Sequence, residues 1–240
     1  MKFYSRIPDN FDITIYLRYL PIVNFINKIG KKSKIGEIGS GDYGIGPFLK
    51  KKFYGFDLVF SSQQSNYLVP IKVLATKIPN KWKDNFDLVL SVDMLEHLSP
   101  AEREKAIEQM IKISKGYLFI AFPSGKNASR VDCFLDHYYQ RTHGQSLGFL
   151  KEHRCYSLPK GKEVKDVIKR QLRQQNKTLI QIRQYNNTNA FLYLFLLWLG
   201  FSENKYLTRI FSLCYFIRKF LSRINFFPYR KIIFVQFKNG

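Results

Sequence analysis

The stretch Glu37-Ile38-Gly39-Ser40-Gly41-Asp42-Tyr43-Gly44 puts a carboxylate at the end of a short strand and a glycine-rich turn directly after it. Glycines at this spacing let the backbone approach a ligand closely, as in dinucleotide-binding loops. Charge separates the ligands such a loop could serve. A pyrophosphate needs bare N–H groups and the positive end of a helix dipole, and Glu37 and Asp42 would repel it. A cofactor carrying a sulfonium and a free ammonium would be attracted by the same carboxylates. Pro47 marks the first turn of the following helix, since its fixed φ suits that position and its missing N–H costs nothing there.

The elements around this turn follow from the apolar pattern. Lys52 to Asp57 reads as a second strand ending in an acid about twenty residues beyond Glu37, where a carboxylate can accept both ribose hydroxyls. A third short strand is expected at Ile71 to Leu74, and Asn85 to Ser91 is a buried-strand run of the kind parallel sheets need. The chain then turns off through Asp93-Met94-Leu95-Glu96-His97-Leu98. Ser99-Pro100, with Glu102 in the first turn, opens a helix carrying Ala106, Ile107, Met110, Ile111 and Ile113 on one stripe. Gly116 to Phe122 is a fifth strand, stopped by Pro123-Ser124-Gly125. Alternating strands and helices imply right-handed crossovers, a doubly wound sheet, and ligands at the carboxyl ends of the strands.

Over residues 33–125 the chain resembles the class I S-adenosylmethionine-dependent methyltransferases. The resemblance rests on Glu37-Ile38-Gly39-Ser40-Gly41, on Asp57, on Phe86-Asp87-Leu88-Val89 leading to Asp93-Met94-Leu95-Glu96-His97-Leu98, and on Gly116 to Pro123. It implies an α/β Rossmann-like seven-stranded sheet with helices on both faces, and S-adenosylmethionine as cofactor. It further implies that Glu37, Gly39, Ser40, Gly41 and Gly44 hold the methionine end, that Asp57 holds the ribose, and that Ser91 to Met94, Asp93 included, lie beside the methyl group. Two positions depart from the family pattern. Gly36 stands where a large apolar residue is usual, and Leu74 to Pro79 lacks the acid that often binds the adenine amine, which leaves adenine to backbone groups near Ala75.

Around this core four segments are expected within one domain: a helical segment over residues 1–32, the cofactor-binding core at 33–125, a substrate-side insertion at 126–170, and the last part of the sheet at 171–240. The first of these would lie over the cofactor pocket or simply cover a sheet face. Met1 to Arg6 has neither the apolar core nor the cleavage site of a secretory signal. The insertion is rich in His, Tyr and Arg and is expected above the exits of strands four and five, where an acceptor would enter. On its first helix Asp132, Asp136, Tyr139 and His143 fall near one face. Tyr139, His143 and His153 are the candidate acceptor-binding residues. For a hydroxyl acceptor a base is needed, and Asp93 and His97 leave strand four at the right place.

Thr178 to Arg183 and Tyr229 to Phe237 read as strands six and seven. Between them lie the apolar helix Ala190 to Phe201, too short for the roughly twenty residues that span a bilayer, and the segment Tyr206 to Phe227. The latter interleaves Arg209, Arg218, Lys219 and Arg223 with aromatic and aliphatic residues, a pattern suited to the headgroup region of an anionic membrane or to packing on the core. The formal charge of +21 calls for an acidic partner. The charge is densest at Lys160 to Arg173 and after Lys205, and no RNA-binding appendage is visible, so a small-molecule, glycan or lipid-linked acceptor near an anionic membrane is preferred to nucleic acid. A cytoplasmic location, peripheral on the inner face of a membrane, is expected. Cys133, Cys155 and Cys214 are scattered without metal spacing, read as thiols of a reducing compartment, and no metal site is expected. An RNA methyltransferase, an NAD(P)-dependent oxidoreductase on the same sheet and a non-catalytic membrane-associated protein remain as alternatives.

Overall fold

The computed structural model describes residues 12–29 and 33–239, so the expectations for Met1 to Phe11 lie outside the described residues. Seven strands form one sheet in the order β3-β2-β1-β4-β5-β7-β6. They are β1 (Ile35–Ile38), β2 (Phe53–Asp57), β3 (Leu68–Lys72), β4 (Phe86–Val92), β5 (Ser114–Pro123), β6 (Lys177–Asn189) and β7 (Pro228–Asn239). The first five run parallel, and β7 enters antiparallel between β5 and β6. The order reverses at β1, whose neighbours are β2 and β4, so a crevice opens at their carboxyl ends.

Side-chain alternation divides the core between two faces. Leu118, Ile120 and Phe122 of β5 join Ile233, Val235 and Phe237 of β7 on one face, under helices α3 (Pro100–Ile113) and α6 (Gly161–Gln174). Phe119 and Ala121 join Leu88, Leu90, Ile232 and Phe234 on the other, under α1 (Ile13–Ile29) through Tyr19, Ile22 and Ile26. Because both faces are covered, the middles of these strands, Leu88 to Leu90, Leu118 to Phe122 and Ile232 to Val235, read as unbroken apolar runs. The start of α3 is as expected: the Ser99 hydroxyl accepts from the Glu102 N–H while the Glu102 carboxylate accepts from the Ser99 N–H.

Helix α1 contains Pro21, which cannot donate to the Leu17 carbonyl one turn back. Asn187 of β6 fills that place, its Nδ2 donating to Leu17 O at 3.2 Å, so the proline locks the helix to the sheet rather than breaking it. Gly36 has a similar explanation. A Cβ there would lie 3.1 Å from the Phe86 ring, and this ring, stacked on Trp82, occupies the volume of the usual apolar side chain.

Three boundaries differ from the sequence reading. Strand β3 lies at 68–72 rather than 71–74, because an edge strand with Val69, Ile71 and Lys72 partly or wholly exposed carries little apolar signal. The expected insertion breaks into α4 (Gly125–His143), α5 (Gly148–Cys155) and α6, and α6 is no insertion but a crossover helix whose Val164, Ile168 and Leu172 pack on the sheet. After α7 (Ala190–Phe201), the segment 206–227 forms the short helices α8 (Lys205–Leu213) and α9 (Arg218–Leu221) joined by a turn. Among the described residues no helix is long and apolar enough to cross a membrane.

Candidate cofactor cleft and its buried polar flank

A cleft of about 680 Å³ occupies the crevice at the carboxyl ends of β1, β2 and β4. Its floor is the turn between β1 and the four-residue helix α2 (Gly46–Leu49). Gly39, Gly41 and Gly44 all have positive φ, and Gly44 shows why: a Cβ there would lie 2.5 Å from the Glu37 carboxylate. The turn is held from inside. Gly39 N–H donates to Phe56 O, Gly44 N–H to Ser40 O, Ile45 N–H to Glu37 Oε2 and Gly41 N–H to Asp57 Oδ2.

Asp57 lines the cleft at the end of β2, one oxygen on the Gly41 N–H at 2.8 Å and the other on the Leu58 N–H at 2.7 Å. These bonds aim the carboxylate along the turn and leave lone pairs for a ligand. Gly39, Ser40, Gly41, Gly44, Ala75, Asp93 and His97 also line the cleft, together with Asp42 and Thr76. From above, α1 contributes Ile15, Arg18 and Tyr19.

Glu37 requires a correction. Its carboxyl group is wholly buried beneath the turn, accepting from Tyr19 Oη at 2.6 Å and from Ile45 N–H at 2.7 Å. Burial pushes its pKa up to about 8 against the pull of these two donors, so near neutral pH it is largely protonated. It ties the turn to α1 and presents no charge to the cleft. Ser91 is likewise buried within the sheet and does not line the cleft.

Asp93 follows β4 with φ +52°, a strained conformation for a non-glycine residue. Its two oxygens take both arms of Arg230 at 2.6 Å, and Arg18 approaches at 3.1 Å. Arg230 is fully buried over the rings of Tyr193 and Tyr229. Although burial alone raises the Asp93 pKa, the two arginines outweigh it and hold the carboxyl group below its usual range. Asp93 is therefore no proton acceptor, against expectation, and instead fixes the wall of the cleft.

The substrate-side histidines separate. Tyr139 and His143 stack on each other at the end of α4, beside Phe201, and do not face the cleft. His153 on α5 is buried next to a smaller cavity of about 220 Å³, its ring 5.0 Å from that of His97. Its Nδ1 pairs with Asp132 Oδ2 at 2.9 Å, and Asp132 Oδ1 accepts from Tyr229 Oη at 2.7 Å. His97 faces the cleft with Nδ1 2.6 Å from Glu152 Oε2. Burial, reinforced by His153, lowers the His97 pKa and keeps its imidazole neutral. Burial, reinforced by Asp93, raises that of Glu96.

Arg18, Glu96, Asp132, Glu152 and Arg230 escaped the sequence reading as site residues. Arg230 had a usable signal, since it shares strand parity with the buried Ile232 and Phe234, and a charge on an inward face demands a partner.

No protein-family model matches the chain, and no curated protein matches it in sequence. Its fold, by contrast, matches solved structures. One is the magnesium protoporphyrin IX methyltransferase of Synechocystis with bound S-adenosylhomocysteine, 12% identical, TM-score 0.53, covering 97% of this chain and 90% of that one. Another is a S-adenosylmethionine-dependent methyltransferase of Archaeoglobus fulgidus, 14% identical, TM-score 0.50, with 92% and 93% covered. A third is a phosphoethanolamine N-methyltransferase of Haemonchus contortus, 13% identical, TM-score 0.51, with 97% of this chain but only 59% of that one covered. The chain thus has the Rossmann-like fold of the S-adenosylmethionine-dependent methyltransferases.

Proposed function

We propose that the chain is a S-adenosylmethionine-dependent methyltransferase acting on a small-molecule, glycan or lipid-linked acceptor at an anionic membrane surface. The observation that carries the reading is the joining of the glycine turn and Asp57 in one cleft at the switch point of the sheet. Asp57 would accept the ribose hydroxyls, the turn from Gly39 to Gly44 would cradle the amino-acid end beside Asp42, and adenine would lie near Ala75. A pyrophosphate finds no such fit, because the N–H groups of residues 39, 41, 44 and 45 are all engaged within the protein and the helix they introduce has four residues. This disfavours the NAD(P) alternative.

The cofactor supplies an electrophilic methyl group on a sulfonium. What remains for the protein is positioning and exclusion of water. Arg18 and Tyr19 of α1 roof the cleft, the Asp93–Arg230 pair stiffens its wall, and His97, beside Glu102 and Glu152, would face the acceptor.

The membrane part of the reading rests on the surface of α8 and α9. Tyr206, Phe216, Ile217 and Phe220 are exposed there among Lys205, Arg209, Lys219 and Arg223. The patch adjoins the cleft roof, for Tyr215 contacts Tyr16 of α1, which in turn contacts Phe48 of α2. Methyl-labelled cofactor incubated with the full chain and separated lipid, glycan and RNA fractions tests the reading. Label in lipid or glycan supports it; label only in ribonuclease-released material overturns the acceptor class, and no transfer to any fraction counts against the activity. Co-sedimentation with phosphatidylglycerol vesicles, lost in Phe216→Glu/Phe220→Glu, tests the membrane part; no sedimentation of the parent chain refutes it.

A further inference from the structure

We propose that Glu96, His97 and His153 form a binding site for a first-row divalent transition-metal ion on the acceptor flank of the cleft. Their ligand atoms all lie within 4.8 Å of one another. Nitrogen and carboxylate ligands sit about 2.0–2.2 Å from such an ion, so two of them lie roughly 3.3–3.6 Å apart in a tetrahedral site and at most about 4.4 Å apart across the ion. His153 Nε2 and Glu96 Oε1 are 3.9 Å apart, too far to hydrogen-bond and within that limit. Separations of up to 4.8 Å must shorten for all three groups to bind one ion.

The surroundings are those of a metal site rather than of a buried ion pair. The His153 imidazole has a carboxylate hydrogen-bonded at Nδ1, Asp132 at 2.9 Å, itself anchored by Tyr229, while Glu152 lies 2.6 Å from His97 Nδ1 as a close polar contact without hydrogen-bond alignment. In His153 this bond fixes the tautomer and leaves Nε2 as the ligand atom. Independently, Glu96 is almost completely buried, and its Oε2 has no hydrogen-bond partner among the described residues. An orphaned carboxylate oxygen is costly in a protein interior, and a cation is the partner that satisfies it. Two imidazoles with one carboxylate suit Zn²⁺, Mn²⁺, Fe²⁺ or Co²⁺ better than Mg²⁺ or Ca²⁺, which prefer all-oxygen sets.

The inference rests on the methyltransferase reading only for what the ion would do. An acceptor hydroxyl bound to it loses its proton to solvent more readily. The oxygen then bonds to the methyl carbon while the carbon–sulfur bond breaks, its electron pair staying on sulfur. Hydroxyl acceptors are thereby favoured over amines.

The test is equilibrium dialysis of the chelator-treated full chain against Zn²⁺ and Mn²⁺, with S-adenosylhomocysteine titrated separately. One equivalent of metal per chain is expected, its affinity falling at least about tenfold in Glu96→Gln and in the partly exposed His97→Ala, and about 10- to 100-fold in Asp132→Asn. S-Adenosylhomocysteine binding is expected to be unchanged in Glu96→Gln, which also reports that this variant is folded. Absence of stoichiometric metal from the parent chain, or undiminished binding in both ligand variants, overturns the proposal. Metal binding without S-adenosylhomocysteine binding would leave the site standing and remove the methyltransferase reading.

Discussion

Replacing Glu37 with Gln separates a structural role for this residue from an electrostatic one. In the folded chain its carboxyl group has a pKa of about 8, against an ordinary value of 4.5. A group whose folded pKa is raised contributes its full stability below the unfolded pKa, and that contribution is lost as pH rises through the folded one. At about 1.4 kcal/mol per unit, the loss between pH 4.5 and 8 is on the order of 5 kcal/mol. Since about 1 kcal/mol corresponds to roughly 2–4 °C in a chain of this size, the shift is on the order of 10 °C. Gln is isosteric and stays neutral. Its carbonyl oxygen can accept from the Ile45 N–H, and its amide can donate to the Tyr19 hydroxyl. Thermal unfolding followed by circular dichroism from pH 5 to 8.5 should show the two proteins close together at pH 5 and Glu37→Gln increasingly the more stable toward pH 8. S-Adenosylhomocysteine affinity should remain within a few fold. Parallel pH profiles would refute the burial argument, and a loss of affinity greater than about tenfold (roughly 1.4 kcal/mol) would show that the charge acts on the ligand after all.

Other perturbations probe the rest of the cleft. Asp57→Ala removes both the ribose acceptor and the partner of the Gly41 N–H; calorimetry should show S-adenosylhomocysteine affinity reduced by at least about tenfold, or 1.4 kcal/mol, with far-ultraviolet circular dichroism unchanged. Arg230→Met leaves the half-buried Asp93 beside Arg18 alone and should cost about 3 kcal/mol in urea unfolding, with Arg230→Met/Asp93→Asn recovering part of the loss. Gly44→Ala forces a Cβ at positive φ against the Glu37 carboxylate and should destabilise by roughly 1–3 kcal/mol while weakening ligand binding; an unchanged midpoint would mean that the turn is not held as described.

The central strands were legible because each is covered on both faces, so Leu88 to Leu90 and Leu118 to Phe122 read as continuous apolar runs. The glycine turn and Asp57 were legible because their chemistry is local. Glu37 was visible as a residue but not in its role, since its partner Tyr19 lies on a helix that only the completed sheet brings against the turn. The same applies to Asp93, whose partner Arg230 is 137 residues away. The pairing of His97 with His153 depends on α5 docking over the 3-10 turn at Leu95–His97, which no spacing in the sequence reveals. Helix α6 was assigned to the insertion although Val164, Ile168 and Leu172 recur at i, i+4 and i+8, a stripe that marks a sheet-packing helix. The break between α8 and α9 carries neither glycine nor proline, and the mixture of basic and aromatic residues runs through it unchanged, so the pattern gave no sign of a stop.

The central claim is that the crevice beyond β1, β2 and β4 accepts an adenosyl sulfur compound and not a dinucleotide. Isothermal titration of the full chain with S-adenosylhomocysteine and, separately, with NAD⁺ tests it most directly. Saturable one-to-one binding of the first, abolished or strongly weakened by Asp57→Ala, with no heat from the second, is the expected result. Binding of NAD⁺ in place of S-adenosylhomocysteine, or of neither, would contradict it.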